Sequence, residues 1–505
     1  MIRCKWPLRM LCLAPILLAF WSPGAVEAGA LRAGAAKVDV THPATKTHNE
    51  RLYVKALVLT DDVTTAVIIT VDAVAIGEIG PIKNDYLPKV RAQLQKEFQI
   101  QPTSVLVNAS HCHGIVCEDV DRRTVQAVRE ALRKLAPVRV GVGVGHEDRI
   151  MENRRLKLTD GREADVRHAY ALPPDAEVAG VGPIDPQIGV LRLDRLDGQT
   201  MAVVYNFACH PIQGVPGGTN TADLTGFASR VIEDNLSEGT IALFLQGCGG
   251  DINPVYYKDT DRPRDAETLG NLLGLSTLKA VRAIQCLETK TLMLLNETLA
   301  LPRANLAPRI QALKDEQFRL VESLGGTSLN LKTFLPLVVK YKLSADFPSY
   351  YSHRYLHDQA LGRNDLSQLD AENRRNIEAY LKNIHIMEEL TRVRTNLALL
   401  KKHHEQNVAA GSRTIDVELV GLRVGDFVLV TSPGELTVQI GLNIKRNSPH
   451  KSTFVAGYTN GYIYYAPTAE QLVNRGGAQE DSDCFLAPEW QRIFEDKAAE
   501  VLKKL

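Results

Sequence analysis

Four residues of the kinds that bind metal ions lie close after apolar, strand-like runs of this chain. They are His111, His113, His210 and Glu435. A buried strand that ends in such a residue presents a rigid ligand at the edge of a sheet, where α/β proteins tend to place their sites. Two histidines and one carboxylate, with a further position left open, are typical of catalytic rather than structural zinc. The pattern therefore predicts a metallohydrolase.

None of these residues is decisive alone. A His-x-His pair on a strand can share one face and one ion, but such pairs also occur by chance. His210 alone is more simply explained as a hydrogen-bonded core or loop histidine, and Glu435 in Pro-Gly-Glu as a turn or helix-capping carboxylate. The prediction depends on their shared position at strand ends.

Composition and charge narrow the class of protein. The chain is 45% hydrophobic and 23% charged, as in an ordinary globular protein. Lys and Arg total 59, and so do Asp and Glu, so no net field attracts nucleic acid or an acidic membrane surface. We therefore expect a small-molecule or lipid substrate, no nucleic-acid partner, and at most peripheral membrane contact.

Residues 1–28 have the pattern of a secretory signal peptide. Arg3, Lys5 and Arg9 precede the apolar run Met10–Trp21, and Val26–Ala28 offers a small-x-small cleavage site. The run is short for a membrane span, which needs about 18 or more apolar residues; an uncleaved N-terminal anchor is the alternative. We expect a secreted or periplasmic protein whose signal peptide is cleaved.

Removal of that segment leaves six cysteines in a compartment that permits disulfides. Cys112 and Cys209 each adjoin a candidate ligand histidine, so a thiolate ligand has to be considered. Neighbouring side chains on a strand point to opposite faces, which directs these two thiols away from the histidine cluster. A buried thiol or a disulfide is therefore the expected state.

Residues 29–505 are predicted to form one large α/β domain that carries a helical insertion at about 306–410. Strand-like and amphipathic helical stretches alternate before the insertion. Within it, Arg309–Leu324 and Ala371–His404 are charged and have helical periodicity, and strand texture returns at Thr414–Leu422. The insertion is interpreted as a lid or an outer layer.

Taken in order, six segments resemble motifs of the neutral (non-lysosomal) ceramidase family, in its N-terminal catalytic domain. They are Asn108–Gly114, Asn206–His210, Thr221–Ser229, Phe244–Pro254, Pro433–Glu435 and Asn460–Tyr465. The resemblance runs from about residue 30 to the C-terminus, and its order makes the set specific. It implies layered β-sheets flanked by helices, an αββα-like arrangement, and hydrolysis of an N-acyl amide bond.

The resemblance also implies a zinc site with four ligands: His111, His210, Glu435 and Tyr465. Tyr462 and Tyr464 lie close enough in sequence to be alternatives to the tyrosine ligand, and the whole tyrosine cluster is alternatively an aromatic pocket wall. One ion is expected. A second ion stays open, with Asp72 at its own strand end as a candidate ligand.

Four further residues are assigned catalytic or supporting roles. By the resemblance, His113 stands beside the ion as a donor to the developing oxyanion or as an acid/base, and Arg154 in Asn-Arg is a polar anchor. Asp251 follows a glycine-rich turn and is predicted to orient a ligand histidine. Asn253 is predicted to donate a hydrogen bond to the carbonyl oxygen. The alternative for Arg154 is a surface arginine, and the alternative for the glycine-rich turn that ends at Asp251 is a simple tight turn without a catalytic role.

Two departures from the family pattern bear on the substrate. Asn253 stands where the family has a serine that is often assigned a catalytic role, and asparagine cannot form an acyl-enzyme. The sequence also leaves no room for the family's C-terminal immunoglobulin-like domain, which is expected to be absent. Ceramide is the first candidate substrate; another N-acyl compound or an ester, and an inactive ceramidase-like binding protein, are the alternatives.

Overall fold

The computed structural model describes Met1 and residues 29–45, 50–166, 172–214, 220–257, 259, 261–262, 265–343, 353–474 and 477–505. Apart from Met1, the predicted signal peptide therefore lies outside the described residues. Among the helices that are described, none is both long and apolar enough to cross a membrane.

The strands, in chain order, are β1 (Arg32–Asp39), β2 (Tyr53–Thr60), β3 (Thr65–Val71), β4 (Val105–Ala109), β5 (Ala136–His146), β6 (Met151–Asn153), β7 (Arg155–Leu158), β8 (Glu163–Asp165), β9 (Val178–Val181), β10 (Gln187–Arg195), β11 (Thr200–Phe207), β12 (Ile241–Gln246), β13 (Ile252–Pro254), β14 (Leu292–Pro302), β15 (Thr414–Val424), β16 (Phe427–Thr431), β17 (Glu435–Leu436), β18 (Thr453–Ala456) and β19 (Tyr465–Ala466).

The helices, in chain order, are α1 (Tyr86–Phe98), α2 (Val120–Arg133), α3 (Asp223–Asp234), α4 (Ala266–Ala283), α5 (Ala307–Glu322), α6 (Leu331–Leu343), α7 (His353–Ala360), α8 (Asp365–Ala409), α9 (Val438–Asn447), α10 (Ala469–Leu472), α11 (Gln479–Ser482) and α12 (Trp490–Lys504). Short 3₁₀ turns at Pro102–Ser104 and Asp175–Glu177 complete the regular structure.

Eight strands form the main sheet, in the order β12-β11-β10-β5-β1-β2-β3-β4. The outer pairs β3/β4 and β11/β12 are parallel, and the pairs between them are antiparallel. The sheet curls until its two edge strands meet: the Gln246 amide of β12 donates to Asn108 Oδ1 of β4 at 3.0 Å. The buried Lys55 ammonium of β2 also reaches the Ala242 carbonyl of β12, at 2.8 Å. The curl brings together strand ends that a flat sheet would separate.

A second sheet, β14-β15-β16-β18, packs against the inner face of the main sheet. The layer between them is apolar and includes Leu57, Leu191 and Leu243 from the main sheet with Leu429 and Phe454 from the second. Removing this apolar surface from water is what holds the two sheets face to face.

Helices cover the two outer faces. α1 and α2 pack on β1–β4, α3 and α4 pack on β5 and β10–β12, and α9 and α12 pack on the second sheet. The arrangement is helix, sheet, sheet, helix. The predicted α/β class with layered sheets flanked by helices is therefore confirmed.

The helical insertion is also confirmed. α5 to α8 connect β14 to β15, which pair with each other along their whole length, from Leu292 opposite Val424 to Pro302 opposite Thr414. The insertion thus leaves and re-enters the rest of the domain, here called the body, at one point. Three elements, α4, β14 and α6, were not predicted from the sequence, and the partner of β14 in the sheet, β15, lies beyond the insertion.

Candidate metal centre and cavity

Three of the predicted metal ligands converge at one point. His111 follows β4, His210 follows β11, and Glu435 begins β17, four residues after the last residue of β16. One ligand atom from each lies within 4.8 Å of the other two, and all three side chains are buried. Glu435 Oε2 is 3.5 Å from His111 Nε2 and 3.3 Å from His210 Nε2. This buried group can hold a metal ion.

Backbone carbonyls fix the orientation of both imidazoles. His111 Nδ1 lies 2.6 Å from the Val74 carbonyl, and His210 Nδ1 lies 3.0 Å from the Ile252 carbonyl. A carbonyl only accepts hydrogen bonds, so each Nδ1 donates a proton to its carbonyl, and each Nε2 is the atom turned toward Glu435. This is the common support for histidines that ligate metals.

Two tyrosines hold the Glu435 carboxylate. The Tyr458 hydroxyl donates to Oε2 at 3.2 Å, and the Tyr462 hydroxyl donates to Oε1. Burial by itself would raise the pKa of Glu435, but the nearby imidazoles of His111 and His210 and the Tyr462 hydroxyl outweigh burial and lower this pKa well below its ordinary value. The carboxylate is therefore held ionised, as a ligand must be.

The backbone around the cluster is in an unfavourable conformation. His111, Tyr458 and Tyr464 have φ of 67°, 52° and 58°, in the left-handed region that non-glycine residues rarely adopt. Each such residue costs on the order of 1 kcal/mol and persists only where its surroundings impose it. The strained residues are one ligand (His111), one tyrosine that holds Glu435 (Tyr458) and one tyrosine of the cavity wall (Tyr464).

Two asparagines that sequence analysis did not single out tie the strand ends together. Asn108 Nδ2 donates to the Gly457 carbonyl at 2.7 Å, and Asn206 Nδ2 donates to the carbonyls of Leu245 and Val455 at 3.0 and 3.1 Å. Both are buried and both precede a ligand histidine by three or four residues. They link the main sheet to β18 and the loop after it, and so fix the distance between ligands.

Arg154 is the centre of a buried polar network beside the ligands. Its Nη1 donates to Asn253 Oδ1 at 3.1 Å, its Nη2 donates to the Tyr465 hydroxyl at 3.3 Å, and its Nε pairs with Glu480 Oε1 at 2.6 Å. Burial lowers the pKa of the guanidinium, but Glu480 and Tyr465 more than offset this effect, so its pKa is raised. Arg154 is thus a permanent buried cation, not a surface arginine.

Asp251 lies in the same network but its carboxylate has other partners than a ligand histidine. Oδ1 accepts from the Val438 amide at the start of α9, at 2.8 Å, and Oδ2 accepts from Asn153 Nδ2 at 3.3 Å. The group that contacts the His210 ring is the backbone carbonyl of the next residue, Ile252. In this geometry the first residue of β13 orients the His210 ring, and the Asp251 carboxylate holds the start of α9.

The ligand cluster forms the wall of a cavity of about 220 Å³. It is lined by Val74, Ile79, His111, His113, Arg154, His210, Ile212, Tyr257, Lys402, Glu435, Tyr462, Tyr464, Tyr465 and Asp483. The insertion contributes Lys402 from α8, whose ammonium lies 4.1 Å from the centre of the Tyr464 ring. A larger groove of about 940 Å³ runs between α1 and α2, but it contains no predicted ligand.

The other predicted site residues surround this cavity at different depths. His113 is exposed at its edge, with its ring 5.5 Å from that of His111. Tyr465 lies on the wall, 6.5 Å from the His210 ring and stacked parallel to it. Asn253 is fully buried behind Arg154, and its amide nitrogen has no hydrogen-bond partner among the described residues.

The cysteines beside the ligands are free thiols. The six described cysteines form no disulfide, and five of them are buried. Burial raises the pKa of both Cys112 and Cys209, which keeps them protonated. Cys209 Sγ faces the His210 carbonyl at 3.7 Å. The expectation of a buried thiol rather than a thiolate ligand agrees with this geometry.

Tyr458 and Glu480 are the most important residues that sequence analysis missed. Tyr458 belongs to the same tyrosine-rich stretch as Tyr462, so its composition carried a signal. Glu480 carried none, because an acidic residue in a charged segment is usually solvated.

Comparison with known proteins gives structural matches only. The neutral ceramidase from Pseudomonas aeruginosa matches with a TM-score of 0.59 and 16% identity, over 95% of this chain and 75% of that one. A ceramidase complexed with C2 matches with a TM-score of 0.59 and 18% identity, over 94% and 76%. No family model matches the sequence, and no curated protein does.

Both matches extend over nearly the whole chain, body and insertion alike. Their low identity limits the conclusion to architecture. The resemblance seen in the six short motifs is therefore supported by the three-dimensional arrangement of the elements that carry them: this chain has the fold of neutral ceramidases.

Proposed function

We propose that this protein is an exported, zinc-dependent hydrolase that cleaves an N-acyl amide bond, with a ceramide-like lipid as the first candidate substrate. The observation that carries the proposal is the convergence of His111, His210 and Glu435 in a buried group on the wall of a cavity. The fold shared with a neutral ceramidase supports the same reaction class.

The donor set fits zinc. Ligand atoms about 2.0–2.2 Å from a tetrahedral ion lie roughly 3.3–3.6 Å from one another. The imidazole and carboxylate separations of 3.3 and 3.5 Å are in this range. Tyr465 is the proposed fourth ligand, because the hydroxyl of Tyr462 is bonded to Glu435 and that of Tyr464 contacts Gln406 on α8.

When bound, zinc acidifies water and polarises a carbonyl oxygen, which makes a serine nucleophile unnecessary. His113 lies at the cavity edge, where it can protonate the leaving amine. Arg154 holds the Tyr465 hydroxyl and contributes positive charge near the oxygen on which negative charge develops. Asn253 positions Arg154 through its carbonyl oxygen.

One observation favours a different substrate for the same site. The cavity of about 220 Å³ is smaller than the roughly 300–1,000 Å³ of typical ligand pockets, and Lys402, Arg154 and Asp483 are among its lining residues. It does not enclose a long acyl chain. A shorter N-acyl compound or an ester is therefore the second candidate.

The test measures bound metal and hydrolysis in the purified protein and in two variants, His111→Ala and Glu435→Ala. Both variants are expected to lose the metal and to lower hydrolysis of ceramide or of a short-chain amide by at least about a thousandfold. His146→Ala is the matched control, since this exposed imidazole pairs with Asp148 near the surface, away from the ligand cluster. Full metal content in both ligand variants would end the assignment.

A second variant separates the two substrate classes. Asn253→Ser restores the family's serine beside Arg154. A large gain on ceramide would mean that this chain has moved away from that lipid, whereas an unchanged rate would favour direct attack by metal-activated water. A panel of amides and esters with no turnover at all would favour a binding protein.

A further inference from the structure

The outer face of α6 carries an uninterrupted apolar stripe turned to solvent. Leu331, Leu335, Val339 and Leu343 are 59, 53, 57 and 83% exposed. Residues four apart lie one above the other on a helix, so the four side chains form one continuous row. Contiguous apolar surface of this kind on a folded protein marks an interaction site.

The opposite face of α6 fixes how the helix is oriented. Phe334 is buried, and its ring stacks on Tyr380 of α8 with centroids 4.4 Å apart. The Tyr341 hydroxyl donates to Asp370, also on α8. Because these inner contacts are satisfied, the outward stripe is the second face of a helix that already has a packed one.

The charge of α6 is entirely positive. Lys332, Lys340 and Lys342 lie within Leu331–Leu343, which contains no acidic residue. Among the described residues, none of these three lysines is part of an ion pair. Lys332 and Lys342 are exposed beside the stripe, and Lys340 is half-buried at its flank. An apolar row bordered by lysines is the pattern of a helix that lies in a membrane interface.

We propose that the outer face of α6 docks this protein on an anionic lipid surface. The leucines and Val339 enter the boundary between headgroups and acyl chains, and the lysines contact the acidic headgroups. A second copy of this chain is a poorer occupant. Pairing two such faces would bring six lysines close together, and neither α6 helix has an acidic residue to neutralise them.

The docking surface is separate from the cavity. α6 contacts α8 at Tyr380, whereas α8 reaches the cavity at Lys402. At 1.5 Å per residue, these two positions on one helix are about 33 Å apart. Docking through α6 therefore leaves the cavity open, and the inference goes beyond the proposed hydrolysis.

The experiment is co-sedimentation of the purified full chain with phosphatidylcholine vesicles, with and without phosphatidylserine. We expect binding to the anionic vesicles that weakens with salt, and little binding to the neutral ones. Leu335→Glu/Val339→Glu should weaken binding at least tenfold. Neutralising the lysines, as Lys332→Gln/Lys340→Gln/Lys342→Gln, should weaken it roughly a hundredfold, since each lysine contributes about fivefold.

Leu275→Glu is the matched control, because Leu275 is a comparably exposed leucine on α4 of the body. It should bind vesicles like the unmodified protein, and thermal unfolding should show that every variant is folded. The proposal is overturned if anionic vesicles are not bound, if the α6 variants bind as well as the control, or if the stripe instead drives self-association or protein binding. Unchanged hydrolysis of a short-chain amide by the α6 variants keeps this outcome distinct from the proposed function.

Discussion

The cavity region and the helical insertion differ in which side chains they bury: the first buries charged groups, and the second exposes apolar ones. Around the cavity, ionised groups are buried and paired, as with Arg154, which is 1% exposed and bonded to Glu480. On the insertion, the four apolar residues of the α6 stripe are each more than half exposed to solvent. A buried charge costs the free energy of removing it from water, and an exposed leucine costs the contact of apolar surface with water. The cavity region carries the first cost and the insertion carries the second.

The difference indicates different duties. Buried, hydrogen-bonded charges hold a geometry, because moving any one of them leaves another desolvated and without its partner. An exposed apolar row does not fix the position of other residues in the chain, and it lowers the free energy only when another surface covers it. The body is therefore built to position ligands, and the outer insertion to meet a surface.

The largest expected effect comes from breaking the buried network. Arg154→Met leaves Glu480 in the interior without that partner, so the free energy of unfolding should fall by about 3–5 kcal/mol. Chemical denaturation measures this loss. Arg154→Met/Glu480→Met removes both charges and should recover a large part of it.

Arg162→Met is the control for the loss of an arginine. Arg162 pairs with Asp160 at 2.6 Å, but both side chains are about half exposed, so its removal should cost less than about 1 kcal/mol. Equal costs for Arg154→Met and Arg162→Met would contradict the contrast drawn between buried and solvated charges.

The ligands could be predicted from sequence, whereas the network that supports them could not. His111, His210 and Glu435 each follow an apolar run, and such a run predicts that the side chains after it lie near a sheet edge. Arg155 and Asp481, by contrast, form a buried pair across 326 residues of chain. Local composition shows both as ordinary surface charges, since their burial depends on how α11 packs.

The curl of the main sheet could not be predicted from the sequence either. Alternation of apolar residues predicts strands, and antiparallel neighbours that are also neighbours in sequence, such as β2/β3 and β10/β11, follow from short turns between them. The same alternation does not predict that β4 and β12, at opposite edges of the sheet, meet through Asn108 and Gln246. That contact depends on accumulated twist, which one strand's sequence does not encode.

The pH dependence of stability should come from the body, with Asp72 as a main source. Burial raises the pKa of this carboxyl from 3.8 to about 6, against the opposing effects of Lys55 and the Tyr53 amide. The native state therefore keeps the proton that the unfolded chain releases near pH 4. The free energy of unfolding should fall as the pH rises from about 4 to 6, by about 3 kcal/mol for a shift of this size.

Asp72→Asn removes that penalty. Unfolding measured across this pH window should show a stability gain that is absent at pH 4 and reaches about 3 kcal/mol above pH 6. Asp85→Asn is the control: Asp85 is exposed and its hydrogen bond to Lys89 lowers its pKa, so no gain is expected. A pH profile identical in the Asp72 variant and the unmodified protein would remove Asp72 as the source.

The smallest expected effect is the most informative about the insertion. Leu335→Gln replaces an exposed member of the α6 stripe and should change the free energy of unfolding by no more than about 0.5 kcal/mol. Phe334→Ala, one residue earlier on the face that packs against Tyr380, should cost about 3–5 kcal/mol in the unfolding of the insertion. Chemical denaturation followed by tyrosine fluorescence measures both. A large loss in Leu335→Gln would mean that the stripe is packed within the chain, and the contrast between an internally satisfied body and an outward-facing insertion would no longer hold.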